Sequence, residues 1–90
     1  MKKTKIIIFR GEYLNAKPFA SNMAEVETPR GTVLFSYSTP VAAVLKDGTT
    51  LRTVAYYSST TTRHIGKWGA KLGDPVTPDV FSKILFGDKS

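Results

Sequence analysis

With 90 residues the chain makes one domain, and its 41% hydrophobic and 22% charged content excludes an intrinsically disordered protein. Cysteine is absent, which excludes a disulfide-stapled secreted scaffold and points to a cytoplasmic protein. Thirteen basic residues against seven acidic ones leave a net charge of +6, which favours an anionic partner but also serves solubility alone.

The opening is basic, with Lys2, Lys3 and Lys5. The apolar stretch that follows, Ile6 to Phe9, is too short for a signal-peptide core and ends at Arg10. No run is long enough to cross a membrane. Lys5 to Phe9 is predicted as a strand, and its three adjacent isoleucines suggest burial on both faces. Gly11 to Met23 mixes Gly11, Asn15, Pro18 and Asn22, and is expected to be a long connection with at most a helical turn.

Ala24 to Thr28 alternates, meets the turn signal Pro29-Arg30-Gly31, and is followed by the β-forming run Thr32 to Tyr37. This is a first hairpin. Pro40 interrupts, and Val41 to Leu45 resumes. Asp47-Gly48 then marks a second, tight hairpin whose return strand is predicted over Thr50 to Tyr57.

The period changes at Ser58-Ser59-Thr60-Thr61-Thr62, a run of hydroxyl side chains able to cap a helix. From about Thr62, Ile65, Trp68 and Leu72 form an apolar helical stripe stopped by Gly73. Gly66 and Gly69 inside that stretch suggest close packing of backbone against the sheet, or a short bent helix. A last helix starts with Thr77 as N-cap, Pro78 in the first position and Asp79 on the dipole. It buries Val80, Phe81, Ile84 and Leu85 and ends at Gly87. The expected fold is therefore α+β: a four- to five-stranded, mostly antiparallel sheet of two hairpins, followed by two short C-terminal helices.

Candidate binding residues concentrate around the first helix. Arg63, Lys67 and Lys71 fall at i, i+4 and i+8, a basic row beside the apolar stripe in a stretch without acids. Ser58, Thr60 and Thr61 precede it at a helix N-terminus, where free amides attract anions. Arg63 supplies a planar fork for phosphate or carboxylate. Arg52, Tyr57 and His64 complete the set. The same pattern also fits an amphipathic helix with a solvated basic face.

His64 is the one histidine. A ribonuclease reading would pair it with Arg63, Lys67 and a tyrosine, but a lone histidine on a helix flank more often packs or hydrogen-bonds. No catalytic residue is assigned. The seven acids are scattered, so no metal site is expected, and no cofactor motif is present. Phe9, Phe35, Trp68, Phe81 and Phe86 are needed for the core, and the tyrosines are expected half-buried at the sheet margin. Were they exposed beside basic residues, they would suit stacking on unpaired bases.

Ser36-Tyr37-x-Thr39-x-Val41-Ala42, followed by Tyr57-Ser58-x-Thr60-Thr61-x-Arg63-His64-Ile65, resembles a pattern in small uncharacterised proteins of phages and plasmids. It covers the middle of the chain. The resemblance implies a mobile-element origin and a sheet-then-helix unit, with no catalytic residue. By analogy with that class, the expected activity is stoichiometric binding to a host protein or protein–nucleic-acid complex, an inhibitor of a host defence system being one form. A domain that binds nucleic acid directly through the basic helix face, and a small ribonuclease or toxin using His64, are the alternatives. An open sheet edge also allows a homodimer.

Overall fold

The computed structural model describes residues 4–20, 22–55 and 59–87. Seven strands form one sheet in the order of the chain: β1 (Lys5–Phe9), β2 (Glu12–Ala20), β3 (Met23–Thr28), β4 (Gly31–Ser36), β5 (Thr39–Leu45), β6 (Thr50–Thr53) and β7 (Asp74–Val76). Helix α1 (Ser59–Trp68) connects β6 to β7, and α2 (Asp79–Phe86) closes the chain. The α+β class with two late helices is as expected, but the sheet has seven strands rather than four or five.

The first additional strand is β2, where a long connection was expected. Arg10 and Gly11 carry φ of 53° and 78° between the paired residues Phe9 and Glu12. Two positive φ angles in a two-residue loop are what a tight hairpin needs. Pro18 sits beside a register shift in the β2–β3 pairing, so its missing N–H is tolerated. The second is β7, which pairs in parallel with β6 through Leu51↔Asp74 and Thr53↔Val76, with α1 as the crossover.

Pro40 does not break β5. The β4–β5 register passes from Leu34↔Ala42 to Phe35↔Pro40, so Val41 is the extra residue of a bulge. The bulge turns both Val41 and Ala42 to the same face. Beyond Thr53 the predicted return strand stops. The Thr53 hydroxyl accepts the Ala55 N–H at 3.0 Å and bends the chain away, and Tyr56 and Tyr57 lie outside the described residues.

Strand alternation sorts the core into two layers. Ala24, Val26, Val33, Phe35 and Ala43 meet Phe81, Ile84 and Leu85 of α2 on one face. Met23, Leu34, Val41 and Ala42 meet Ile65 and Trp68 of α1 on the other. Arg30, in the β3–β4 turn, fastens the first layer: its Nε donates to the Ile84 carbonyl at 2.7 Å and its Nη2 to the Leu85 carbonyl at 3.2 Å. Thr77 is not the side-chain cap of α2. Its hydroxyl donates to the Asp79 carboxylate, and Pro78 takes the N-cap place. Among the described residues, no helix is long and apolar enough to cross a membrane.

Candidate functional site around α1

Residues Thr61, His64, Ile65 and Trp68 recur at helical spacing and form the inner side of α1. That leaves Thr60, Arg63 and Lys67 on the solvent side, all exposed. The helix is shorter than its apolar stripe suggested. Gly69 adopts φ 97°, its N–H bonds the Gly66 carbonyl at 3.1 Å, and the Ala70 N–H bonds the Ile65 carbonyl at 3.0 Å. This pair of bonds is a Schellman stop, with Ala70 and Ile65 making its usual apolar contact. Gly69, rather than Gly73, therefore ends α1. Gly66 has open space where a Cβ would be, so close packing against the sheet is not its role.

Two consequences follow for the expected site. Leu72 lies beyond the helix and is 95% exposed, outside the packed stripe. Lys71 also leaves the helical row, so Arg63 and Lys67 remain as its two members. Lys71 instead joins Arg52 in a pocket of about 200 Å³ between the end of β6 and α1, with Thr53, Ala55, Thr62 and Ile65. Among the described residues, none that line it is acidic. Arg52 is held there by donating from Nε to the Gly73 carbonyl at 3.1 Å.

His64 and Thr61 are not on the surface. His64 is 9% exposed, and its Nδ1 shares a hydrogen bond of 2.8 Å with Ser36 Oγ, itself 2% exposed. Thr61 Oγ1 lies 3.4 Å from the same Ser36 oxygen. The Tyr37 ring lies tilted over His64, with centroids 6.1 Å apart. Tyr57 and Ser58 fall outside the described residues. Of the nine expected residues, the structure thus places Thr60, Arg63, Lys67 and Lys71 outward, leaves Arg52 half-buried, and packs Thr61 and His64 inward.

Ser36 is the residue that sequence reasoning missed. Its signal was available, because alternation along β4 puts it on the same face as Leu34, beneath the following helix. The two halves of the Ser36-Tyr37 and Thr61-to-Ile65 pattern are the segments that meet here. Tyr13 and Tyr37 are exposed rather than half-buried, at 75% and 53%. Glu25 accepts a hydrogen bond from Trp68 Nε1, and Glu27 pairs with Lys17 at 3.4 Å. Among the described residues, no three His, Cys, Asp or Glu side chains gather as a metal site would need.

A family model described as a family of unknown function (DUF8033) matches residues 10–83. No curated protein and no solved structure matches the chain.

Proposed function

The chain belongs to the DUF8033 family, and we propose that it works by stoichiometric binding to a host protein or protein–nucleic-acid complex, with the basic surface of α1 as its contact. The observation that carries this reading is the grouping of cations. Arg63 and Lys67 face solvent along α1, and Arg52 and Lys71 share the adjoining pocket, which no acid among the described residues lines. Such a surface of one sign steers and orients an anionic partner. The phage- or plasmid-encoded setting, and inhibition of a host defence system as the form of the activity, rest on the motif resemblance.

The burial of His64 and its bond to Ser36 support a packing role for that residue rather than the ribonuclease alternative. Direct nucleic-acid binding uses the same cations and separates by experiment. The tagged protein is expressed in bacteria and purified with and without nuclease. A defined host protein that survives nuclease, and is lost from an Arg63→Glu/Lys67→Glu variant, supports the proposal. Recovery of nucleic acid alone, with affinity falling steeply in salt, moves the function to direct binding. Partner capture unchanged by the double reversal removes α1 as the contact.

A further inference from the structure

On the face opposite α1, helix α2 leaves part of the sheet margin uncovered. A groove of about 430 Å³ opens between α2 and the turns that follow β3 and β5. Its floor is apolar, formed by Leu45, Val80 and Ile84. Its rim carries three cations, Arg30, Lys46 and Lys83, one from each of the three elements that meet there. Among the described residues, none that line it is acidic.

The nearest acids in sequence lie beside the groove, Asp79 near enough to Lys83 to feel its charge. Asp47 accepts the Thr49 N–H at 2.9 Å, and Asp79 accepts the Thr77 hydroxyl; neither lines the groove. Arg30 is fixed by its two bonds to the end of α2, so its charge is held in place before any ligand arrives. An apolar floor within a rim of one charge is the arrangement of a binding surface and not of an ordinary solvated face.

We propose that this groove docks an acidic segment of a partner protein, seating an apolar side chain on Leu45, Val80 and Ile84 and setting carboxylates against Lys46, Lys83 and Arg30. The volume falls within the range of ligand-binding clefts. Among the described residues no aromatic side chain lines it, so they offer no stacking platform for a nucleic acid. The chain's own acids, Glu12, Glu25, Glu27, Asp47, Asp74, Asp79 and Asp88, are scattered, so a second copy has no acidic run to place there. The partner is therefore a different protein. The groove lies on the other side of the sheet from the α1 surface, and its occupancy does not depend on that surface.

The test is amide NMR of the whole chain titrated with a synthetic peptide of alternating Glu and Leu. Peptides of Lys and Leu, and of Glu and Ser, serve as controls. The Glu/Leu peptide is expected to shift Leu45, Lys46, Val80, Lys83 and Ile84, and the controls to leave them in place. Lys46→Glu with Lys83→Glu should weaken binding about tenfold. Lys5→Glu, which makes on β1 the same change of charge as either single reversal, should not. The spectra report folding directly, and Lys46→Glu alone, in a turn, covers the case in which Lys83→Glu loosens α2. Shifts centred on Arg63 and Lys67, equal weakening by Lys5→Glu, or groove shifts produced by decanoate but not by the peptide would each overturn the proposal.

Discussion

Ser36 Oγ and His64 Nδ1 lie 2.8 Å apart beneath α1 and join the first helix to the middle of the sheet. Each is the other's partner in a place with little access to water. Removing one leaves a buried polar atom unsatisfied, which costs more than the bond itself contributes. Ser36→Ala is expected to lower stability by about 1–3 kcal/mol, read from urea unfolding. Trp68, the one tryptophan and itself on α1, reports the transition by fluorescence. Unchanged stability would mean that the pair is not formed in solution.

Arg30 joins the β3–β4 turn to the carbonyls of Ile84 and Leu85. Arg30→Ala should cost about 1–2 kcal/mol, because a charged donor is lost at a partly exposed helix end. Arg30→Lys should not restore the loss, since one ammonium cannot span both carbonyls with the same fork. Thermal unfolding of the three proteins compares them.

Gly31 begins β4 against the backbone of β5. A Cβ there would come within 2.5 Å of the Val44 carbonyl oxygen and 3.0 Å of Leu45 Cα. Neither atom is the end of a flexible side chain, so the strands themselves must shift. Gly31→Ala is expected to destabilise by about 1–3 kcal/mol in denaturant titration.

Leu72 separates the helical stripe read from sequence from the structure. Were it the third member of a packed stripe, Leu72→Ser would be strongly destabilising. At 95% exposure it should change stability by no more than about 0.5 kcal/mol in the same titration.

Asp79 gives a prediction in pH. The hydrogen bond from the Thr77 hydroxyl, followed by a backbone bond, holds its carboxyl below its ordinary value. A carboxylate with a depressed folded-state pKa stabilises above its unfolded pKa, near pH 4, and loses that contribution as pH falls through the folded value. Asp79→Asn should therefore lower stability slightly at neutral pH, and its difference from the parent protein should shrink away as pH falls below about 4. Urea midpoints measured across that range show the change.

The hairpins around Pro29-Arg30 and Asp47-Gly48 were legible because each pairs apolar runs with strong turn chemistry. The start of α2 at Pro78-Asp79 and its end at Gly87 were legible for a similar reason. What escaped was structure whose signal is conformational. Arg10 in a left-handed conformation makes the β1–β2 turn, and arginine gives no warning of it. β7 is three residues long and gains its order from pairing with β6, so no local pattern marks it. In the candidate site, Arg63 and Lys67 were readable from spacing. Lys71 was misassigned because the apolar period ran on past the Gly69 stop. Ser36 was missed although alternation along β4 places it on the Leu34 face, because its partner His64 lies 28 residues away on the helix that covers that face.

The sheet order, in which every strand lies beside its neighbours in sequence, also bears on how the chain reaches this state. From β1 to β6 each new strand closes only a short loop on the one before it, so the entropic cost of pairing is incurred in small steps. The exception is β7, which can dock on β6 only after the intervening segment has spanned the sheet as α1. The slow event in assembly should therefore lie at the β6–α1–β7 crossover, the same unit that carries the basic pocket. A ribosome-bound chain ending near Thr53 would already contain the strands of the first five pairings, and would still lack the helix and the last strand.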